Sequence, residues 1–267
     1  MRKSIGNDSA SFEAAPSTFW ERVAQTRWGR YLSSAEEEAL RGAASIVRPG
    51  TALDVGCDGG RWSHLLVSLG WSTICVDVSA EAVELCRARL PSAYCVLIQP
   101  DDRSFPVADK SIDLFLAYEV EPVTNASWFI SEVDRVLSPD GILVCTICNG
   151  TSLRGALYRA HMALRSRRRR NHAYSGASFQ DMRRELRQRG FDLLQQEGLG
   201  WAPFKRCSNA RLIPYLVWIE RALGLRRLVR FSPLVLVVAQ TASRAATSAN
   251  NRPVAVRRSS ANRRSRR

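Results

Sequence analysis

Short apolar runs alternate with amphipathic segments between residues 51 and 147, and this alternation constrains the fold more than any other feature. The apolar runs have the length of buried strands, and the segments between them have the 3.6-residue period of a helix. The strands are predicted at 51–55, 73–76, 94–98, 112–117 and 141–147, and the helices at 61–69, 81–90 and 128–137. Because strands that alternate with helices favour βαβ units, we expect an α/β protein with a mostly parallel sheet.

The sequence on either side of this alternation adds further elements. Residues 19–47 have a helical pattern, in which Ser33 or Ser34 can cap a second helix. After residue 148 the pattern predicts helices at 152–164, 178–189 and 212–223, and strands at 191–197 and 234–240. Both ends of the chain carry little to bury, so residues 1–17 and 244–267 are expected to be disordered around one domain at 18–243.

Composition excludes several classes of protein. Hydrophobic residues make up 45% and charged residues 24% of the chain, which are ordinary globular values. No stretch reaches the ~20 apolar residues that a membrane span needs, and the first residues lack the apolar core of a secretory signal. The sequence therefore predicts a cytoplasmic protein and excludes collagen, a coiled coil and wholesale disorder.

The seven cysteines are an odd number and fit no metal-binding spacing. Cys145 and Cys148 form a C-x-x-C, but they lie inside an apolar run that predicts a buried strand. No second pair or histidine cluster accompanies them. We therefore expect buried, reduced thiols and no metal site.

The positive charge is concentrated in two short segments. The formal net charge is +14, and the arginines at 165–170 and 244–267 account for 13 of these charges. The nearly neutral remainder argues against a protein whose whole face holds nucleic acid. The helix at 152–164 is either packed on the domain with a solvated end or a peripheral contact with an anionic membrane surface. The basic tail either holds RNA or anionic lipid non-specifically or is an inert extension.

A glycine-rich turn follows the first predicted strand, in the segment LDVGCDGG at residues 53–60. Glycines between a strand and a helix let a ligand approach the backbone, and the helix N-terminus offers free N–H groups. Asp77 ends the second predicted strand, about where a Rossmann-like fold places the carboxylate that binds a ribose diol. Asp54 and Asp58 would repel the pyrophosphate of a dinucleotide but suit a ligand with positive charge, which points to S-adenosylmethionine (SAM).

Four segments together resemble the class I SAM-dependent methyltransferases, in the small-molecule branch of that family. They are LDVGCDGGRWSHLL, VDVSAEAVELCRARL, DDRSFPVADKSIDLFLAYEV and EVDRVLSPDGILVCTI, in the order and spacing of the family over residues 52–149. The resemblance implies a Rossmann-like, seven-stranded, mostly parallel sheet with a reversed last strand and helices on both faces. It also implies that residues 18–49 form helices that cover the cofactor and that residues 150–233 hold insertions on the substrate side.

The resemblance further implies roles for single residues in binding SAM. The implied cofactor-binding residues are Asp54, Gly56, Asp58 and Gly60 in the turn, Asp77 at the ribose, Val78, Asp101 and Asp102 at the adenine, and Tyr118 beside the methyl-transfer pocket. Asp58 departs from the family, which usually has glycine there. The side chain is tolerated if the residue is left-handed or points outward, and otherwise it crowds the cofactor.

Methyl transfer from a sulfonium requires an aligned nucleophile and the exclusion of water more than it requires a particular catalytic group. Glu119 is one candidate, because it follows the fourth strand on the side of the sheet where ligands bind. His161, in the helix predicted at 152–164, is the other.

One function and its alternatives follow from these residues and this resemblance. We expect a SAM-dependent enzyme that methylates an oxygen or nitrogen atom of a small-molecule or lipid-linked acceptor. The first alternative is an RNA methyltransferase that uses the basic segments, although the chain has no recognisable RNA-binding module and no Asn-Pro-Pro-Tyr-like tetrad. The second is a non-catalytic protein that keeps the fold for binding. The glycine spacing disfavours a nicotinamide dehydrogenase.

Overall fold

The computed structural model describes residues 17–157 and 178–242 of the chain. His161, the arginine segment at 165–170 and the tail from residue 244 lie outside the described residues. Of the helix predicted at 152–164, residues 152–157 are described, and residues 153–157 are helical.

Within the described residues, seven strands form a single sheet. They are β1 (Thr51–Val55), β2 (Ser72–Asp77), β3 (Tyr94–Leu97), β4 (Ile112–Ala117), β5 (Leu137–Cys148), β6 (Phe191–Leu199) and β7 (Leu234–Thr241). Their order across the sheet is β3-β2-β1-β4-β5-β7-β6. Strands β1 to β5 pair in parallel, and β7 lies antiparallel between β5 and β6. The predicted α/β class and the reversed last strand are confirmed.

Helices cover both faces of this sheet. They are α1 (Phe19–Ala24), α2 (Arg27–Ala44), α3 (Arg61–Ser68), α4 (Ala80–Arg89), α5 (Glu121–Thr124), α6 (Phe129–Val136), α7 (Phe179–Gln188) and α8 (Ile213–Ala222), with a 3₁₀ turn at Leu225–Arg227. Leu114 and Leu116 of β4 pack with α2 and α3, whereas Phe115 and Ala117 pack with α6 and α7. Because both faces are buried, the central strands are mostly apolar. None of the described helices is long and apolar enough to cross a membrane.

The helical region before β1 breaks at a different place from the one predicted. Ser33 and Ser34 both lie inside α2, so the prediction that one of them caps a helix was wrong. Thr26 caps α2 instead, since its hydroxyl accepts a hydrogen bond from the N–H of Gly29 at 3.1 Å. Gly29 also permits the close turn between α1 and α2, because a Cβ there would lie 2.0 Å from a carbonyl oxygen of α1.

Two further differences concern short elements. The fifth strand, predicted at 141–147, begins four residues earlier at Leu137, and residues 139–141 are an irregular part of it where the register with β4 shifts. The helix α5 and the 3₁₀ turn were not predicted, because elements of so few residues have no measurable periodicity.

Candidate functional site

A cleft of about 680 Å³ opens at the carboxyl ends of β1, β2 and β4. Parallel sheets of this kind leave room for ligands at this edge, and the volume is that of a small-molecule site. The walls come from α1, from the turn after β1, and from the residues that follow β2 and β4. The lining residues are 17–22, Glu36, 55–58, Arg61, Trp62, 77–79, Glu81, Ala82, Leu85, Ile98, 118–120, Val123 and Arg206.

The glycine-rich turn at residues 56–60 exposes backbone atoms of Gly56, which has no side chain, to this cleft. Gly56 has a φ of 72°, and a Cβ there would lie 2.6 Å from a methyl group of Val120. Gly60 has a φ of 86° and begins α3, and a Cβ there would lie 2.9 Å from the sulfur of Cys86. Both positions therefore require glycine for the left-handed backbone and for the space. Gly56 lines the cleft, whereas Gly60 packs against α4.

Asp58 has the left-handed conformation, with a φ of 48°, which is one of the two ways in which the turn can accept an aspartate. Its carboxylate accepts a hydrogen bond of 2.5 Å from the hydroxyl of Thr18, just before α1. Burial raises the pKa of Asp58, and the bond from Thr18 opposes that shift. The side chain thus fastens the start of α1 to the glycine turn, at the wall of the cleft.

Asp77 ends β2 and lies on the cleft. One carboxylate oxygen accepts the N–H of Asp58 at 3.0 Å, and the other accepts the N–H of Ser79 at 2.9 Å. These two bonds fix the carboxylate, and each oxygen keeps a second acceptor position for a hydroxyl group. Val78 is 53% exposed beside it and offers an apolar contact. Asp77 can therefore accept hydrogen bonds from a ribose diol, and Val78 can contact the attached base.

Asp54 lies beneath the turn and is not part of the cleft lining. Its carboxylate is 2% exposed and accepts a hydrogen bond of 2.5 Å from the hydroxyl of Ser63 in α3. Burial raises the pKa of Asp54 to about 6, against the effect of the Ser63 hydrogen bond. Asp54 therefore holds the turn to α3 from below.

Asp101 and Asp102 also lie apart from the cleft lining. Both are exposed, and the carboxylate of Asp102 accepts the N–H of Gln99 at 2.8 Å. Ile98, just after β3, lines this part of the cleft instead. Of the residues named from the sequence, those that meet in the cleft are Gly56, Asp58, Asp77, Val78, Tyr118 and Glu119.

Two acids and two arginines lie in the part of the cleft beside β4. Glu119 lies two residues after the end of β4 and has a left-handed φ of 56°. Its carboxylate lies 3.5 Å from the guanidinium of Arg206, which also pairs with Glu121 of α5. Glu36 projects from α2, and its carboxylate lies 3.9 Å from the guanidinium of Arg61.

Tyr118 packs between these charged groups and the core. Its hydroxyl donates a hydrogen bond of 2.7 Å to the backbone carbonyl of Glu36. Its ring meets the ring of Trp62 edge to face, with centroids 5.4 Å apart. The guanidinium of Arg61 covers the Trp62 ring at 4.1 Å. Aromatic rings thus form the apolar wall of this part of the cleft.

Burial controls the ionisation of both acids. Glu36 is 1% exposed, and burial followed by the charge of Glu119 raises the pKa of Glu36 to about 8. Burial also raises the pKa of Glu119, while Arg206 opposes that shift. Within the described residues, one carboxylate oxygen of each acid is buried without a hydrogen-bond partner. Buried oxygens of this kind are normally satisfied, so both are available to a polar group of a ligand.

Sequence reasoning missed Glu36, Arg61 and Arg206. Glu36 had a detectable signal, because it shares the helical period of buried Leu32 and Leu40 and so puts a charge on an apolar face. Arg206 had none, since it lies in an irregular segment and reaches Glu119 only through the tertiary fold. The other catalytic candidate, His161, lies outside the described residues.

Four of the cysteines meet beneath the glycine turn. They are Cys57, Cys75, Cys86 and Cys95. The sulfurs of the last three lie within 4.8 Å of one another. The hydrogen bond with Cys75, together with burial, raises the pKa of Cys95 to about 12. The four buried thiols pack as small apolar groups against α4.

Comparison with known proteins identifies the central part of the chain. Residues 53–145 match the family model described as a methyltransferase domain, and that segment contains the glycine turn, Asp77 and Glu119. Uncharacterized methyltransferases of Mycobacterium tuberculosis and Mycobacterium bovis are 32% identical over 91 residues, which are 34% of this chain and 37% of theirs. The match thus spans little more than a third of the length of these curated relatives.

Solved structures share the fold over more of the chain. A chain in the complex of the Haloferax volcanii Trm112 methyltransferase activator with a methyltransferase has a TM-score of 0.54 at 18% identity, and the match covers 86% of this chain and 100% of that one. A SAM-dependent methyltransferase from Mesorhizobium loti has a TM-score of 0.52 at 18% identity, over 77% of this chain and 97% of its own. Geranyl diphosphate C-methyltransferase from Streptomyces coelicolor has a TM-score of 0.54 at 16% identity, over 88% of each chain.

These comparisons confirm the resemblance seen in the sequence. Residues 53–145 match the model of a methyltransferase domain, and the sheet and its helices share the fold of solved SAM-dependent methyltransferases. Two of these solved structures, from Mesorhizobium loti and Archaeoglobus fulgidus, are methyltransferases that depend on SAM.

Proposed function

We propose that this chain, a class I SAM-dependent methyltransferase by domain and fold, transfers a methyl group to an oxygen or nitrogen atom of a small-molecule or lipid-linked acceptor. The observation that carries the proposal is the convergence of two kinds of group in one cleft. Asp77 offers acceptors for a ribose diol, and Glu36 and Glu119 offer buried oxygens without a partner for the acceptor.

The cleft suits SAM on the evidence of its residues. Gly56 presents backbone without a side chain, Asp77 has free acceptor positions on a fixed carboxylate, and exposed Val78 can contact an aromatic base. When bound, SAM supplies a methyl group that its sulfonium has already activated. The chain itself has to orient the acceptor and keep water out, and the walls formed by α1, Tyr118 and Trp62 suit this task.

Glu119 is the residue we assign to the acceptor's proton. Burial raises the pKa of Glu119, which makes the carboxylate a stronger base than an exposed one, and Arg206 favours its ionised form. Glu36, with a pKa of about 8, is mostly protonated at neutral pH and can donate a hydrogen bond. The left-handed backbone of Glu119 is a strained conformation of the kind that is concentrated at functional sites. Of the two acids, Glu119 thus accepts the proton and Glu36 donates a hydrogen bond.

The cofactor is tested first by calorimetric titration with SAM and with its demethylated product, with NAD as the negative control. Asp77→Ala should weaken binding by at least about tenfold, because hydrogen bonds to a charged group contribute ~1.5–3 kcal/mol. Asp192→Ala, an exposed aspartate on β6, is the matched control and should leave the affinity unchanged. Failure of the unaltered protein to bind either sulfur nucleotide would overturn the proposed function.

Methyl transfer is then tested with radiolabelled SAM and an extract of the cells that produce the protein, divided into organic and aqueous fractions. Glu119→Gln should lower the labelling by about 10²-fold or more, with the affinity for the demethylated product unchanged. The control is Glu37→Gln, whose side chain is 47% exposed on α2. Label in neither fraction would contradict the acceptor class, and full activity of Glu119→Gln would remove that residue from the proton transfer.

A further inference from the structure

Exposed apolar side chains recur between residues 212 and 231, in the part of the chain between β6 and β7. Six large residues there are between 47% and 68% exposed, and we call them the α8 surface. They are Leu212, Tyr215, Trp218, Leu223, Leu228 and Phe231. The rings of Tyr215 and Trp218 stack on each other with centroids 6.1 Å apart. Soluble domains rarely leave so many large apolar groups together in water without a use for them.

The helix α8 packs on the core through Ile213 and Val217 and is also anchored by polar contacts, and this packing leaves its other large apolar side chains outward. The buried carboxylate of Glu220 accepts a hydrogen bond of 2.6 Å from the hydroxyl of Tyr31 in α2 and another of 3.2 Å from Arg226. Leu212, Tyr215 and Trp218 are three residues apart, so they share one side of the helix. Their exposure is therefore a consequence of how α8 is anchored and not of a frayed end.

The exposed charged residues nearest in the chain to the α8 surface are all arginines. The exposed ionic side chains nearest to it in the chain are Arg211, Arg221, Arg227 and Arg230. Between residues 205 and 241 the sequence has a single acid, Glu220, and that acid is buried and paired. A patch of tryptophan, tyrosine and leucine edged by arginine is the composition that binds at the interface of an anionic lipid bilayer.

We propose that the α8 surface docks this protein on an anionic lipid membrane. Trp218 and Tyr215 lie at the level of the headgroups, where amphipathic rings are favoured, and the arginines pair with lipid phosphates. A second copy of the chain fits this surface less well, because a two-fold contact would place arginines opposite arginines.

The position of the surface connects it to the acceptor end of the cleft. The segment between β6 and α8 contains Arg206, which contacts Glu119, and then leads directly into Leu212. The apolar side chains of Leu153 and Leu157 are also exposed, and Arg154 between them donates a hydrogen bond of 3.3 Å to the carbonyl of Phe204 in the same segment. Membrane docking here gives a lipid-linked acceptor a short route to Glu119, and to that extent the inference rests on the proposed function.

The test is co-sedimentation of the full chain with vesicles, measured without SAM so that a failure of cofactor binding cannot affect it. The vesicles contain phosphatidylcholine alone or mixed with phosphatidylglycerol. The full chain should bind the mixed vesicles. The double variant Tyr215→Ala and Trp218→Ala should have a partition coefficient lower by about tenfold or more, because it lacks the two aromatic side chains that membrane docking would bury in the lipid. The matched control is Tyr94→Ala, which removes an equally exposed ring from β3 at the other end of the sheet.

Three results would overturn the proposal. The first is no binding to the mixed vesicles. The second is binding that the double variant leaves unchanged, which would assign the interaction to the basic segments at 165–170 and 244–267. The third is a dimer in solution, detected by light scattering, that the double variant converts to monomer, because a second copy would then cover the surface. An unchanged thermal transition of the double variant is expected and shows that it remains folded.

Discussion

Glu36 is a buried acid on α2 whose protonation links the stability of the fold to pH. Burial, and then the charge of Glu119, raises its pKa from an ordinary value of 4.5 to about 8. The folded protein therefore holds this proton more tightly than the unfolded chain does. The resulting contribution to stability is complete below about pH 4.5 and is lost as the pH rises through about 8.

Glu36→Gln should remove this dependence, because the amide fills nearly the same space and never ionises. The free energy of unfolding of the variant, relative to the unaltered protein, should increase between pH 4.5 and 8. Since one pKa unit corresponds to about 1.4 kcal/mol, the increase should exceed ~1 kcal/mol. Urea denaturation on both sides of this interval measures it, with the exposed Glu37→Gln as the control. A relative stability that is the same at both pH values would contradict the raised pKa.

At the scale of elements, the strands were predictable and the junctions between helices were not. The strands around Asp77 and Glu119 follow from their apolar runs, which have to be buried on both faces, and the strand ends then place the two acids at one edge. The cap of α2 did not follow, because several serines and threonines can cap and the packing of Gly29 on α1 selects Thr26. Arg206 was equally out of reach, since only the tertiary fold brings it to Glu119.

The short helix α1 forms one wall of the cleft and is fastened to the core by a buried ion pair. Both oxygens of Glu21 accept hydrogen bonds from Arg89 of α4, at 2.5 and 3.1 Å. Glu21 also accepts the N–H of Thr18 at 2.7 Å, so the same carboxylate caps α1. Arg89 is 1% exposed and donates to the carbonyl of Gly59 in the glycine turn at 2.8 Å. One ion pair therefore joins α1, α4 and the turn.

Glu21→Gln should destabilise the protein by about 3–5 kcal/mol, because it leaves the guanidinium of Arg89 buried without its counter-charge. The affinity for the demethylated cofactor should fall as well, since α1 lines the cleft. Denaturant unfolding and calorimetry measure the two effects. Glu84→Gln, which alters an exposed ion pair on α4, should change neither.

Adding Arg89→Met to Glu21→Gln should recover part of the lost stability, because the uncompensated charge is removed. A single Glu21→Gln variant within about 0.5 kcal/mol of the unaltered protein would show that the pair does not hold α1 in place.

At the scale of the whole molecule, most of the net positive charge comes after the last strand in the sequence. The last strand ends at Thr241, and the eight arginines of the tail all follow it. Most of the net positive charge that could attract RNA therefore belongs to residues that follow β7 in the sequence. An RNA methyltransferase, in contrast, needs its positive surface beside the methyl-transfer site.

Deleting residues 244–267 lowers the formal net charge from +14 to +6 without removing any residue of β7. The affinity for the demethylated cofactor and the denaturant midpoint should stay unchanged, because the deleted residues follow the last strand. Binding of a fluorescent single-stranded RNA, followed by anisotropy at several salt concentrations, should weaken. The slope of log K against log salt should become shallower by about 0.7 for each lost phosphate contact. Tight RNA binding that survives the deletion would instead favour an RNA substrate, since the contacts would then come from the body that carries the cleft.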